Sequence, residues 1–345
     1  MIGVPVRTGG DIAEGLGFVA SRTLVEGPVE LWFPLAPGDR ALVAPGETVV
    51  PGLPLAERMR DPRIEDAVVP EGLDPAPAPG DRWLLEAPDA RRRGPTRQSA
   101  ELLFKVRGRW RIAAGEVVDQ LESPVAGIVR EVRPGIGIGL RSPARGIRGA
   151  LVLGGPARGR LELATEAEGE LRASAIDVGQ AGTILVVGAR VDAEALTRAR
   201  AMGIRGMVVA GLASKERRDF AASERRQSSA IHRLPPFAVL VLDGTVRRPI
   251  ASPIMALLTA LAGRDVAIVA DPPLLLADDP YFELPAPAAD LIRVRNGPLM
   301  GLEGRWEGLA GPRRFAAGVH LEAGLIRVGD GSPIVVPLGD LERFV

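Results

Sequence analysis

Short segments in which apolar and polar residues alternate dominate the early part of the chain. Between residues 29 and 57 these segments are separated by Pro-Gly pairs that recur every six to eight residues. Alternation with a period of two is typical of strands that bury one face, and Pro-Gly pairs favour tight turns. The pattern therefore predicts a compact β meander. Alternation stops between residues 60 and 100, where Pro, Asp and Arg are frequent, and we predict a long surface loop there.

A different pattern begins at residue 176, where continuous apolar runs alternate with segments of helical periodicity. Apolar runs without alternation are typical of parallel strands that are buried on both faces. Asp192 is a predicted helix N-cap. We predict a small open parallel α/β sheet of Rossmann-like type over residues 176–272. Its four strands are predicted at 182–188, 205–211, 237–243 and 265–270, and its three helices at 192–202, 214–230 and 252–261.

Two segments of the N-terminal half carry a resemblance to a known fold. The segment from Val43 to Ala56 resembles the first half of a biotinyl/lipoyl-type barrel-sandwich hybrid, and the segment from Ser123 to Val132 resembles its return strand. Together with the preceding segment 31–36 they are similar to the N-terminal part of RnfC-type electron-transport subunits. The resemblance implies a barrel-sandwich hybrid within a β-rich domain of residues 1–172.

The same resemblance bears on cofactors. Members of these families that carry a cofactor have a lysine at a hairpin tip, about seven residues before the Ser-Pro-Val-Ala-Gly segment. The corresponding residues 115–120 contain no lysine, and the chain has no cysteine to hold an iron–sulfur cluster. We therefore expect a scaffold without a swinging arm and without a cofactor.

The segment from Leu291 to Trp306 carries a second resemblance. Apolar alternation runs into a Gly-Pro pair that is followed by two further glycines. This order resembles the KOW motif of the small SH3-like barrels found in transcription elongation factors and ribosomal proteins. The resemblance implies an SH3-like barrel over residues 290–345, whose glycines permit a tight turn and whose surface contacts RNA or protein. The candidate partner-binding residues are Arg293, Arg295, Gly297, Pro298, Gly301, Gly304 and Arg305.

Charge decides between the possible partners of this C-terminal segment. The whole chain has 43 basic and 43 acidic residues. Residues 290–345 contain seven arginines and seven carboxylates, so this segment is neutral as well. Nucleic-acid binding normally needs a basic excess. We therefore expect a protein or ribonucleoprotein partner, with a weak case for direct RNA binding.

Residues that follow the predicted parallel strands form a candidate anion-binding site. Ligands of open parallel sheets lie beyond the carboxyl ends of the strands, where glycines permit close approach and arginines favour an anion. The alternative interpretation is that the glycines only shape turns and the arginines are solvated. The candidate ligand-binding residues are Gly188, Arg190, Gly211, Ser214, Lys215, Asp243, Gly244, Arg247 and Arg248.

Other motifs give little support for chemistry. The glycine-rich segment from Gly135 to Leu140 is followed by turn-forming residues, so it predicts a β-hairpin and not a dinucleotide-binding loop. His232 lies near Ser228 and Ser229 at a predicted helix end, and a capping or surface position is the preferred interpretation. With two histidines and no cysteine in the chain, we expect neither a metal site nor a catalytic triad.

These observations predict a β-rich plus α/β multidomain protein, with a Pro-rich linker at 273–289 before the C-terminal barrel. The chain has no signal-like N-terminus and no apolar run of membrane length, so we expect a cytoplasmic protein. The leading hypothesis is a non-catalytic scaffold whose C-terminal barrel docks a partner. The alternative is an enzyme or sensor that binds a small anionic or nucleotide ligand at the strand ends. A third possibility is an accessory subunit of a larger redox assembly.

Overall fold

A computed structural model describes residues 16–22, 24–69, 76–79, 81–88, 95–228, 236–277, 279, 281–283 and 287–344. Within these residues the chain is rich in strands, which form five sheets. The β-rich, multi-sheet architecture predicted from the sequence is therefore confirmed. His232 and Ser229 lie outside the described residues.

Nine strands between Val29 and Ser142 form the two sheets of the N-terminal part of the molecule. One sheet has the order β3-β11-β10-β5, and a second has the order β4-β6-β9-β8-β7. Their apolar side chains share a core that includes Leu31, Val49, Leu55, Leu121 and Ile138. The first eleven strands of the chain are β1 (Ala20–Arg22), β2 (Leu24–Glu26), β3 (Val29–Pro34), β4 (Arg40–Ala41), β5 (Thr48–Val49), β6 (Pro54–Ala67), β7 (Arg82–Pro88), β8 (Pro95–Val106), β9 (Arg109–Glu122), β10 (Gly127–Arg133) and β11 (Gly137–Ser142).

Where the structure describes the loop predicted for residues 60–100, it is instead largely strand. β6 continues to Ala67, and its pairing with β9 extends from Pro54 opposite Glu122 to Ala67 opposite Trp110. Pro62 lies where the register shifts between Arg60 and Arg63, so no regular ladder hydrogen bond is required of its nitrogen. A small core of Ala100, Leu102, Trp110 and Ile112 buries one face of this sheet.

Two smaller predictions about this region have clear outcomes. Residues 115–120, which correspond to the cofactor-lysine position, lie inside β9 and not at a hairpin tip. The glycine-rich segment at 135–140 forms the turn and second strand of the β10–β11 hairpin, as predicted. The assignment of this region to the barrel-sandwich hybrid fold stays a prediction.

The middle of the chain forms a nine-stranded sheet with the order β13-β19-β18-β16-β14-β20-β21-β12-β2. The three predicted helices are confirmed, and the Asp192 side chain accepts a hydrogen bond of 2.7 Å from the Ala195 N–H at the start of the first. The elements are β12 (Arg145–Arg148), β13 (Leu151–Gly154), β14 (Ala157–Leu163), β15 (Glu170–Leu171), β16 (Thr183–Val187), β17 (Arg190–Val191), α1 (Ala193–Ala201), β18 (Gly206–Gly211), α2 (Ser214–Ser228), β19 (Ala238–Gly244), α3 (Ser252–Leu261), β20 (Asp265–Val269) and β21 (Leu274–Ala277).

The prediction of four parallel strands needs a correction. The parallel strands are β14, β16, β18 and β19, whereas β20 runs antiparallel to β14. The chain enters α3 beyond the carboxyl end of β14, since the Ile250 N–H donates to the Ala167 carbonyl. It leaves α3 beside the same strand, since the Gly263 N–H donates to the Leu161 carbonyl. The next strand must therefore run back along β14.

The linker predicted for residues 273–289 also needs a correction. Residues 274–277 form β21, which pairs with both β20 and β12 inside the nine-stranded sheet. Leu274 and Leu276 face the core of the N-terminal part, and Leu275 and Ala277 face the core beneath α3. Burial on both faces explains the continuous apolar run. Strands from the predicted β-rich and α/β parts therefore share one sheet, and the boundary at 172–176 stays a prediction.

The last five strands form the C-terminal module, which recruits a strand from the other end of the chain. The six-stranded sheet has the order β1-β26-β22-β23-β24-β25, with β1 parallel to β26. Its core contains Leu16 and Val19 together with Ile292, Trp306 and Leu341. Gly297 and Gly301 have φ angles of 80° and 89°, which agrees with the predicted tight turn. The strands are β22 (Leu291–Val294), β23 (Glu303–Arg314), β24 (His320–Arg327), β25 (Ile334–Pro337) and β26 (Leu341–Phe344).

Candidate docking site

The carboxyl ends of the parallel strands, where the anion site was predicted, are covered by the protein's own backbone. A Cβ built on Gly188 would lie 2.1 Å from the Glu166 carbonyl oxygen, and one built on Gly211 would lie 2.3 Å from the Val246 carbonyl oxygen. These contacts are too close for any side chain. Both glycines therefore permit close approach of the loops 164–169 and 245–251.

The remaining residues of the predicted anion site are dispersed. Arg190 and Arg247 are exposed and share Glu170, with nitrogen–oxygen distances of 3.7 Å and 3.9 Å. Ser214 and Lys215 are exposed at the start of α2. The structure thus brings Arg190 and Arg247 together around a carboxylate. A ligand-binding role for these residues stays a prediction.

The two remaining charged residues of the predicted anion site take part in a buried ion cluster. Asp243 Oδ2 lies 3.1 Å from Arg248 Nε and accepts a hydrogen bond of 3.0 Å from Arg293 Nη1. Arg293 Nη1 is also 3.5 Å from Glu342 Oε1, and Arg293 Nη2 donates to the Pro249 carbonyl at 2.7 Å. The side chains of Asp243 and Arg293 are each 1% exposed. Two cations and two anions therefore form a neutral cluster between the nine-stranded sheet and the C-terminal module.

Arg248 extends this contact into the turn of the module. Its Nη1 donates to the Arg295 carbonyl and its Nη2 to the Asp243 carbonyl, each at 3.0 Å. A Cβ built on Gly301 would lie 3.6 Å from the Cβ of Arg248. Residues predicted for two separate sites, one for a ligand and one for a partner, thus meet in a single internal interface.

The interface also supplies an acceptor to the start of α3. The N-cap of this helix, Ala251, has no side-chain acceptor, and the Ser252 N–H instead donates to Glu303 Oε1 of the module at 2.8 Å. A carboxylate at this position satisfies a backbone donor and complements the helix dipole. A shallow groove of about 520 Å³ lies beside it, and the charged side chains among its described lining residues are Glu168 and Glu303. This groove is acidic and does not suit an anion.

Glu303 and Glu342 were missed by the sequence analysis. Arg293 alternates with the core residues Ile292 and Val294, so its side chain lies on the face of the sheet that points away from the module core. The sequence gives no sign that a second sheet covers that face. A charged residue flanked by strand core is the signal that could have suggested an interface.

The sheet face that carries Arg293 continues uncovered over β23, β24 and β25, because Arg305 pairs with Leu291 beside the pair of Arg293 and Glu303. In register, Leu321 lies opposite Arg313, Leu325 opposite Val335, and Arg305 opposite Arg327. Because cross-strand partners point to the same side, these side chains share one face. Leu321 and Val335 are 42% and 40% exposed, and Arg327 forms an ion pair with Glu307. We call this surface the outer face, defined by Arg305, Arg313, Leu321, Leu325 and Val335.

The other predicted partner-binding residues lie outside the outer face. Arg295, Gly297 and Pro298 are exposed at the turn after β22. Gly304 is buried, because a Cβ built on it would lie 2.6 Å from the Arg327 carbonyl oxygen. Of the predicted set, Arg305 alone belongs to the outer face as defined here.

Comparison with known proteins gives no functional assignment, since neither a protein-family model nor a curated protein matches the chain. Within the described ranges there is no group of three or more side chains suited to hold a metal ion. No helix of the described part is long and apolar enough to cross a membrane. The geometry alone therefore has to support a function.

Proposed function

We propose that the protein is a non-catalytic binding protein whose C-terminal module docks an acidic protein partner on its outer face. The observation that supports this proposal is the division of the module's surfaces. Over β22 and β26 the module is held to the nine-stranded sheet by the buried Arg293 cluster, and over β23 to β25 it presents an apolar centre with two flanking arginines. A fixed module with an exposed apolar and basic face is a preorganised docking surface.

The composition of the outer face favours a protein over RNA. RNA recognition commonly uses aromatic side chains that stack on bases. The outer face has no aromatic residue, because Trp306 points into the module core. Arg305 and Arg313 would flank a partner's apolar side chain and attract surrounding carboxylates. The assignment of the C-terminal module as a KOW-type SH3-like barrel is part of this proposal.

Photo-crosslinking from the intact protein tests this proposal. A photo-reactive amino acid at Leu321 is compared with one at Val178, which is exposed on a short helical turn far along the chain. We expect one protein to be enriched from Leu321 and not from Val178, with no effect of ribonuclease. Its purified form should bind the wild type, and Arg305→Glu with Arg313→Glu should weaken that binding by about ten-fold or more. Equal capture from both positions, or ribonuclease-sensitive capture, would contradict the proposal.

Deletion of residues 290–345 is a poor test. It would leave Leu16 and Val19 without their core and would remove one of the two arginines that contact the buried Asp243 carboxylate. Loss of partner binding could then follow from misfolding of the remaining chain. Surface substitutions on the outer face avoid this problem, because they touch neither the core nor the ion cluster.

A further inference from the structure

A cleft of about 390 Å³ lies at the opposite edge of the nine-stranded sheet, where the parallel strands begin. One wall comes from the N-terminal part, including Gly52, Arg58 and Asp119 on and near β6 and β9. The other wall comes from the turn at Gly155 before β14 and from Arg205 directly before β18. The cleft therefore lies between two parts of the molecule, a common location for small-molecule sites.

Three arginines line this cleft and give it its character. Arg158 forms an ion pair of 2.9 Å with Asp265. Arg58 and Arg205 are half-buried, and neither forms an ion pair or a side-chain hydrogen bond with another described residue. A half-buried guanidinium gains most from a bidentate anion such as a phosphate or carboxylate. Two such groups on facing walls form a site for an anionic group.

The other lining residues restrict the rest of the ligand. Asp119 lies directly across the strand pair from Arg58 and therefore on the same face, whereas Gln120 and Glu122 alternate to the other face of β9. The Asp119 carboxylate suits a hydroxyl group of a ligand. The described lining contains no aromatic side chain, so a nucleobase would find no stacking surface. Four prolines, at positions 51, 124, 156 and 236, make the walls rigid.

We propose that this cleft binds a small phosphorylated polyol, with its phosphate between Arg58 and Arg205 and a hydroxyl group directed to Asp119. The proposal is independent of partner docking on the outer face, because the two surfaces share no residue. It also places the anion site at the amino ends of the parallel strands and not at their carboxyl ends.

Isothermal titration of the full chain with glucose 6-phosphate tests the proposal. Gluconate, inorganic phosphate and AMP are compared at matched ionic strength. We expect saturable binding of glucose 6-phosphate that is stronger than binding of the other three. Arg58→Gln and Arg205→Gln should each weaken it by about ten-fold, because each removes a charge-assisted contact. Arg130→Gln, a matched change at an exposed arginine of β10, should leave it unchanged.

A steric variant separates binding from folding. A Cβ built on Gly155 meets no atom within 4 Å, so Gly155→Leu should fill the cleft, keep the thermal unfolding midpoint of the unliganded protein and abolish binding. Absence of glucose 6-phosphate binding by the folded wild type would overturn the proposal. So would binding that persists in Gly155→Leu or in both arginine variants. Equal binding of AMP or gluconate would overturn the assigned ligand class.

Discussion

The two edges of the parallel strands differ in what occupies them. At the carboxyl edge, two loops cover Gly188 and Gly211, and the C-terminal module is held by Asp243, Arg248 and Arg293. At the amino edge, a cleft is lined by arginines that include Arg58 and Arg205. The general rule places ligands at the carboxyl edge of such sheets. Here the protein uses that edge to join its own parts, which leaves the opposite edge open.

Removal of Arg293 should have the largest effect on the covered edge. Arg293→Ala would leave the buried carboxylate of Asp243 without one of its two arginines and Glu342 without its cluster partner. We expect the free energy of unfolding of the module to fall by about 3–5 kcal/mol, measured by hydrogen exchange of the β22 and β26 amides. Arg295→Ala is the control, because Arg248 contacts only its backbone carbonyl in this interface. A loss below about 1 kcal/mol for Arg293→Ala would show that the cluster does not hold the module.

The N-terminal segment should contribute almost as much to the same edge. Leu16 is buried in the module core, whereas Phe18, two residues later, is 71% exposed. Leu16→Ala should lower the free energy of unfolding by about 2–4 kcal/mol in a urea titration, because it removes buried apolar surface and leaves a cavity. Phe18→Ala should change it by less than about 0.5 kcal/mol. Equal effects of the two changes would mean that residues 16–22 do not complete the module.

A matched pair of glycine substitutions compares the two edges directly. Gly211→Ala would place a methyl group against the Val246 carbonyl, so it should cost about 1–3 kcal/mol of unfolding free energy. Gly155→Ala adds a methyl group in open space at the amino edge and should be neutral within about 0.5 kcal/mol. The thermal unfolding midpoints of the two variants are compared with that of the wild type, and only Gly211→Ala is expected to lower the midpoint. A neutral Gly211→Ala would show that the carboxyl edge is less closely covered.

The smallest effect is expected at the start of α3. Glu303→Ala removes the acceptor for the Ser252 N–H, and loss of such a cap costs about 1 kcal/mol. Chemical denaturation should detect this loss of unfolding free energy. Glu322→Ala, at an exposed position of β24, serves as the control. If the two variants are equally stable, the module does not cap the helix.

Local structure could be predicted from the sequence where a periodic pattern reports it. The helices around Leu196 and Leu257, the strand at 183–187 and the turn at Gly297 all follow from neighbours along the chain. Pairing between distant segments could not be predicted. The direction of β20, the pairing of β1 with β26, and the incorporation of residues 274–277 into a sheet each depend on contacts that no local pattern records.

The contacts among the candidate site residues could not be predicted for the same physical reason. Asp243, Arg248 and Arg293 were singled out as residues for external ligands or partners, because exposed charges at strand ends and turns usually meet solvent. In the folded chain they satisfy each other. Arg58 and Arg205 lie 147 positions apart in the sequence, and only the fold shows that they line one cleft.

A double-mutant cycle shows whether Asp243 and Arg293 together hold the module at the carboxyl edge of the sheet. The free energy of unfolding of the module is measured for Asp243→Ala, Arg293→Ala, the double variant and the wild type. Coupling of about 1–3 kcal/mol is predicted, with the double variant less destabilised than the sum of the two single variants. If the losses of unfolding free energy of the two single variants add up to that of the double variant within about 0.5 kcal/mol, the two side chains do not interact directly. The Asp243–Arg293 contact would then not hold the module to the sheet.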